Sequence, residues 1–301
     1  MWIVEEKVGD VEGRPLRTTE RELLERPPSS ENAISSNLNE SEVSMHGCWV
    51  TRLLSCYDTD VGSNRATQQP SNPVDPARIR KMFASIATRY DRANTILSAG
   101  VHHLWRRRAV RRAEVRRGQR VLDCATGTGD LAIAFRKAGA DVVGTDFTPE
   151  MIALARAKAP SIRFEVADVT SLPFSDDSFD VASIAFGIRN VSDPAKGLAE
   201  MARVVRPGGR VVVLEFGMPR NRVARSLYGS YCKHCLARLG GVVTGDRAAY
   251  EYLEASAAKF PCGADFVALM QTSAPFAKVT FEPLTLGIAY LYVGITASRR
   301  R

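Results

Sequence analysis

The chain has 301 residues, a formal charge of +8, 45% hydrophobic and 25% charged residues. That length allows one large domain or two modest ones, and the composition excludes wholesale disorder, a collagen and a solenoid of polar repeats. No run of 18 apolar residues occurs, so no transmembrane helix is expected, and six cysteines do not make a disulfide scaffold.

The charge is unevenly placed. Residues 1–75 hold 7 Lys/Arg and 13 Asp/Glu, a net −6, whereas residues 76–301 hold 34 and 20, a net +14. Pro27-Pro28-Ser29-Ser30, Asn32 to Ser41 and Ser63 to Asn72 are polar and rich in breakers, which predicts a disordered extension over 1–75. Met1-Trp2-Ile3-Val4-Glu5-Glu6 lacks the basic start and apolar core of a secretory signal, and the segment is too acidic for a mitochondrial presequence. A translation start at Met45 is the remaining account of it. Cys48, Trp49 and Cys56 are assigned no function.

Next comes a basic stretch. Arg106-Arg107-Arg108, Arg111-Arg112, Arg116-Arg117 and Arg120 are eight arginines in 15 positions. On a helix, Val101, Leu104, Trp105 and Ala109 take the buried stripe. The basic face reads as a solvated surface or as a contact with anionic lipid, worth ~1 kcal/mol per residue near the membrane. Nucleic acid is the rival partner. His102-His103, just ahead, read as packing or capping residues.

From residue 120 strands and helices alternate. Arg120–Cys124 is a short apolar strand ending at Gly127-Thr128-Gly129, and a helix follows from Asp130 to Ala138. Asp141–Asp146 is a second strand. Thr148 caps the next helix, with Pro149 at its first position. Ile162–Ala167 and Phe179–Ala185 are strands three and four, the latter apolar enough to be buried on both faces. Asp193-Pro194 opens a helix ended by Pro207-Gly208-Gly209, and Arg210–Phe216 is strand five. After residue 220 three helical stretches follow, at 221–239, 246–259 and 264–273, then strands near 278–282 and 287–294. The pattern predicts an α/β fold: a doubly wound, mostly parallel seven-stranded sheet, with a helical lid inserted after strand five. The domain is expected over 76–301, with the helical insertion at about 220–275.

Ligands of such a sheet bind beyond the carboxyl ends of its strands. There stand the glycine loop Gly127-Thr128-Gly129 after Asp123, then Asp146 closing strand two, then Asp168-Val169 after strand three. Asp146 is placed to accept both hydroxyls of a ribose. A nucleoside ligand fits. A pyrophosphate does not suit so many carboxylates, whereas a cationic sulfonium does, which weakens a dinucleotide dehydrogenase reading.

These motifs resemble those of class I S-adenosylmethionine-dependent methyltransferases: Val121 to Gly129, Thr145-Asp146, Asp168 and Arg206-Pro207-Gly208-Gly209. The likeness is closer to the quinone-biosynthesis C-methyltransferases, the demethylmenaquinone and polyprenyl-benzoquinol methylases. It is carried by Arg89-Tyr90-Asp91-x-x-Asn94, Leu97-Ser98-x-Gly100, Trp105-Arg106, Phe186-Gly187-Ile188-Arg189-Asn190-Val191, Tyr250-x-Tyr252-Leu253-x-x-Ser256 and Leu284-Thr285-x-Gly287-Ile288-Ala289. It covers about 76–295. Ala185 stands where that family commonly has a small hydroxyl residue, and Ala274-Pro275-Phe276 where it has Ala-Gly-Phe.

The resemblance implies S-adenosyl-L-methionine as cofactor and a prenylated quinol as acceptor, demethylmenaquinol first. Asp123, Gly127, Thr128, Gly129, Asp146, Asp168 and Val169 are the expected cofactor residues. Arg189 is the expected stabiliser of phenolate charge, with Asn190 orienting the same oxygen and Tyr90 covering cofactor or substrate. The bland alternative for Arg189 is a buried ion pair with Asp168 or Glu215. The implied location is the cytoplasm, with peripheral contact at the inner face of the membrane through Arg106–Arg120; a homodimer stays open. No nucleic acid is expected, since neither Asn-Pro-Pro-Tyr nor Asp-Pro-Pro-Tyr nor an aromatic-interleaved basic run occurs. Cys232-Lys233-His234-Cys235 has no second ligand pair, so no metal is expected.

Overall fold

A computed structural model describes residues 75–298. The expectations for 1–74, with Cys48, Trp49 and Cys56, lie outside the described residues. Asp75 caps α1 (Pro76–Ile86) by accepting from the Ala77 N–H, with Pro76 fixing the first turn. A 3-10 turn at Ala87–Arg89 leads into α2 (Tyr90–Leu97). Gly100, at φ 76°, turns the chain into α3 (Val101–Ala113).

Alternation then begins with β1 (Arg120–Cys124), α4 (Asp130–Lys137), β2 (Asp141–Asp146) and α5 (Pro149–Lys158). It continues through β3 (Arg163–Val166), β4 (Phe179–Ala185), a 3-10 turn at Ile188–Asn190, α6 (Pro194–Val204) and β5 (Val205–Phe216). The sheet order is β3-β2-β1-β4-β5-β7-β6. β1 to β5 pair in parallel, while β7 (Ala289–Thr296) runs antiparallel between β5 and β6 (Phe276–Leu284).

Side-chain alternation along the strands builds two cores. On one face Leu122, Ala182, Val211 and Val213 pack with Leu198 and Met201 of α6 and with Phe266 and Met270 of α10 (Ala264–Ser273). On the other, Val121, Val181, Val212 and Leu214 pack with Trp105 and Ala109 of α3, Phe135 of α4 and Ile152 of α5. Each such large side chain contributes about 1.5–3 kcal/mol by leaving water. The doubly wound sheet therefore follows from two-sided strands covered by one-sided helices.

The lid consists of α7 (Arg222–Tyr231), a π-helical stretch at Cys232–Leu236, α8 (Ala237–Thr244) and α9 (Arg247–Lys259). Its first helical stretch runs to Thr244, five residues past the expected 239, and ends where Gly245 takes φ 82°. The helices after β5 continue to Ser273, just before β6, and the last of them, α10, packs into the sheet's core. Pro207-Gly208-Gly209 does not end a helix directly. It forms an excursion within β5, between the pairings of Val205 with Phe179 and Arg210 with Val181. The Thr148 side chain makes no cap; its backbone N–H donates to Asp146 instead. The basic stretch is not one helix, since α3 ends at Ala113 before Arg116, Arg117 and Arg120. Leu104, expected in the buried stripe, is 58% exposed, and the buried His102 takes that place inside the helix. Cys232 is buried and Cys235 exposed, so they share no face; among the described residues no three His, Cys, Asp or Glu side chains gather as a metal site.

Candidate active site

The loop Ala125–Gly129 joins β1 to α4, and its backbone takes left-handed turns at Ala125 (φ 46°), Gly127 (φ 58°) and Gly129 (φ 86°). A Cβ on Gly129 would stand 2.9 Å from the Phe164 ring, so glycine is needed there for close packing as well as for its φ. Asp123 lies beneath this loop. Its carboxylate accepts from the Thr126 hydroxyl at 2.6 Å and the Ser183 hydroxyl at 2.8 Å. Burial pushes its pKa up to about 6, against those two hydrogen bonds.

Asp146 ends β2. Its carboxylate accepts from the Gly127 and Thr148 backbone N–H groups, both at 2.8 Å. Burial raises its pKa, and those two bonds oppose the rise. A carboxylate offers about four acceptor positions, so this one retains capacity for a ligand. Asp168 accepts from the Thr170 N–H at 2.8 Å.

A cavity of about 110 Å³ opens at these strand ends. Gly127, Asp146, Asp168 and Val169 line it, together with Tyr90 and Asn190. Asp123, Thr128 and Gly129 stand behind it instead. Thr128 donates its hydroxyl to Asp91 at 2.6 Å, and Lys158 donates to the other Asp91 oxygen at 2.6 Å. The Tyr-Asp pair thus has two jobs: Asp91 ties α2 to the glycine loop, which carries Tyr90 over the cavity.

A second, larger cavity of about 400 Å³ lies under the lid. Its walls are mostly apolar or aromatic, with Trp105, Tyr228 and Leu253 among them. Phe83, Tyr90 and Phe186 line both cavities. Burial raises the Tyr90 pKa, which keeps its phenol protonated and hydrogen-bonded to Asn94. Phe186 sits at φ 58°, a conformation bulky residues rarely take.

Arg189 lines the larger cavity, but its guanidinium is already partnered. It donates to Glu215 at 2.6 Å and to the Phe186 carbonyl at 2.7 Å, and it lies over the Phe216 ring at 5.3 Å. The ion-pair alternative weighed from the sequence is therefore the arrangement found, with Glu215 as partner and not Asp168. Asn190 accepts from the Tyr252 hydroxyl at 3.2 Å.

Sequence reasoning missed the polar line Asn94, Ser98 and His102 along the larger cavity. Its signal was available: with Tyr90 these positions are four residues apart. It also missed Phe83 as a shared wall, for which no local pattern speaks.

The model of the ubiE/COQ5 methyltransferase family matches residues 72–296. The chain is 52% identical, over 73% of its length and 96% of the relative's, to a ubiquinone/menaquinone biosynthesis C-methyltransferase of Bdellovibrio bacteriovorus. It is 47% identical, over 71% of its length and 99% of the relative's, to a demethylmenaquinone methyltransferase of Thermus thermophilus. Among solved structures, a SAM-dependent methyltransferase of Thermotoga maritima shares the fold at a TM-score of 0.54, with 19% identity over 72% of this chain and 99% of that one.

Proposed function

The chain belongs to the ubiE/COQ5 methyltransferase family, and from that premise we propose that it transfers a methyl group from S-adenosylmethionine to a ring carbon of a prenylated quinol, converting demethylmenaquinol to menaquinol. The observation that carries this reading is the pair of cavities sharing Phe83, Tyr90 and Phe186. One holds the donor, the other the acceptor, and the three rings frame the passage between them.

The smaller cavity has the donor set for S-adenosylmethionine. Asp146 keeps acceptor capacity for a ribose beside Gly127, and Phe147, Met151 and Val169 offer apolar surface to a flat base. Bound there, the cofactor supplies an electrophilic methyl on a cationic sulfur. The residues of the chain do the rest by placement. Asp123 holds Thr126 and so the loop, Asp91 holds α2, and Arg189 holds the Phe186 carbonyl. Fixing acceptor carbon and methyl in line can contribute several kcal/mol, on the order of 7 or more when alignment is good. We assign Arg189 a positioning role and Tyr90 direct contact at the passage, while Asn190 holds the lid through Tyr252. As the new bond to carbon forms, the ring carbon gives up one proton, so one proton is released per turnover.

The larger cavity emerges between Leu227 of α7 and Leu286, which are 68% and 77% exposed. Val223, one turn before Leu227, is 68% exposed. Trp105 donates to Thr285 at 2.9 Å, which sets α3, with its exposed Arg107 and Arg111, beside this rim. An apolar rim with arginines beside it suits an anionic bilayer, from which a prenyl tail enters the cavity. This moves the membrane contact from the whole Arg106–Arg120 stretch to the cavity mouth: Arg106 is spent on Asp130 and Arg108 on Glu282. Among the described residues no helix is long and apolar enough to cross a membrane.

The test is product analysis. With methyl-deuterated S-adenosylmethionine and a prenylated demethylnaphthoquinol, mass spectrometry is expected to find the label on the quinone ring. Absence of transfer to naphthoquinol and benzoquinol alike overturns the proposal.

A further inference from the structure

The large cavity carries a polar feature that methyl transfer alone does not require. Tyr90, Asn94, Ser98 and His102 are spaced by four through α2, the Ala99-Gly100 turn and α3, and all four line its wall. Ser98 Oγ lies 2.6 Å from the Asn94 carbonyl and 2.6 Å from His102 Nδ1. A hydroxyl has a single proton, and a carbonyl can only accept. The Ser98 proton therefore lies on the Asn94 bond, and the Nδ1 atom must carry the hydrogen between itself and Ser98. In a neutral imidazole that leaves Nε2 as an acceptor. Among the described residues no other hydrogen bond of the His102 ring occurs, and Nε2 is not sealed from solvent.

On the reading of this cavity as the acceptor site, we propose that His102 senses the redox state of the acceptor, its Nε2 accepting a hydrogen bond from a quinol hydroxyl that an oxidised quinone cannot give. The discrimination matches the chemistry. A quinol ring is rich in electrons and its carbon can attack a sulfonium methyl, whereas a quinone ring is electron-poor and would only block the cavity. A site built to pair with a hydroxyl disfavours an analogue that lacks it, because an acceptor that the bound ligand covers is then left unpaired. The neutral state that this requires is also built in. His102 is 4% exposed, and burial, with Arg106 and His103 beside it, lowers its pKa to about 4 against the weaker pull of Asp130 and Asp91. Ser98 acts as a positioning residue by fixing the tautomer.

The experiment is an anaerobic binding measurement with S-adenosylhomocysteine saturating. Its ligands are 2-prenyl-1,4-naphthoquinone and its dithionite-reduced quinol, followed by ultrafiltration. The folded protein is expected to bind quinol about tenfold more tightly than quinone, the factor for one hydrogen bond and its unpaired counterpart. His102→Phe should bring the ratio close to one by weakening quinol binding. His102→Gln should bring it close to one by strengthening quinone binding, because an amide can turn to donate. If the Phe variant does not fold, the Gln variant decides. Equal binding of both ligands by the unaltered protein overturns the proposal, as does a ratio that neither variant changes. A packing role for His102 predicts that both ligands weaken together, which also overturns it. Labelled methyl transfer to the quinol by the unaltered protein is read separately, so a failure of the family reaction would be recognised as such.

Discussion

Arg189→Ala would strand Glu215 in the core. The two groups meet at 2.6 Å with side chains 4% and 2% exposed. Deleting one member of a buried pair costs about 3–5 kcal/mol, because the survivor keeps its desolvation penalty and loses its partner. Here Glu215 still accepts from the Phe216 N–H at 2.8 Å and the Arg189 N–H at 3.3 Å. Those remaining bonds place the expected loss near the lower end, ~3 kcal/mol. In a domain of this size that corresponds to a fall in Tm of roughly 6–12 °C. The variant also frees the Phe186 carbonyl, and small misplacements at a reacting centre can cost about 10² in rate. Arg189→Met combined with Glu215→Leu removes both charges and should recover most of the stability. It should not recover the rate, since the Phe186 carbonyl then lacks the Arg189 donor that fixes it. Urea unfolding gives the first quantity, and single-turnover methyl transfer on the folded protein, with cofactor saturating, gives the second. A loss below about 1 kcal/mol for Arg189→Ala, the range of exposed pairs, would refute the reasoning. So would a double variant with a normal methyl-transfer rate.

Three further expectations follow from the site. Asp146→Ala removes the acceptor for a ribose and two backbone N–H bonds, so S-adenosylmethionine binding should weaken by ~1–3 kcal/mol in calorimetry; unchanged affinity would remove Asp146 from the cofactor site. Asp123, whose pKa burial raises to about 6 from the ordinary ~3.9, binds its proton more tightly folded than unfolded. Its ionisation thus destabilises the fold by about 3 kcal/mol above pH 6 and by nothing below pH 4. Relative to Asp123→Asn, the unaltered protein should lose stability as pH rises from 4 to 6, and a melting-temperature difference that stays flat across that window would contradict the assignment. With the machinery assigned to 76–301, a chain starting at Asp75 should keep its Tm and its methyl-transfer rate; a large loss of either would count against that boundary.

Much of the sheet was legible because its signals are local. β1, β2 and β4 have the bounds that their apolar runs and flanking glycines or acids suggest. The carboxylates at 146 and 168 meet at one cavity because parallel strands put all their carboxyl ends on one side. Asp123 was harder to place. In sequence it looks like its two counterparts, yet it sits one residue short of the end of β1 and turns under the loop to Thr126 and Ser183. The partner of Arg189 was legible only as a choice, since β4 and β5 must pair before Glu215 can be opposite the Ile188–Asn190 turn. His102, read from the sequence as a packing or capping residue, is buried, while the more apolar Leu104 two residues later faces out; both lie within α3, so apolarity alone misjudged which side of that helix meets the cavity.

The conformation of Phe186 shows what the surrounding framework is for. A non-glycine residue at φ 58° costs on the order of 1–3 kcal/mol and persists only when its neighbours over-determine it. They do so here. The Phe186 N–H donates to the Leu214 carbonyl at 2.7 Å, and its own carbonyl accepts from Arg189 at 2.7 Å. Its ring lies 4.5 Å from Phe216 and 6.0 Å from Trp105. Relaxing the strain would swing the ring away from the boundary that it forms with Phe83 and Tyr90, and the two cavities would merge. The same contacts extend to the acceptor. Trp105 is carried on α3 one turn after His102, so the framework that keeps Phe186 strained also sets the distance between the passage and the group that would hold the quinol hydroxyl. On the proposed reading, the buried ion pair, the left-handed phenylalanine and the histidine would act as one positioning device that keeps two ligands in adjoining cavities.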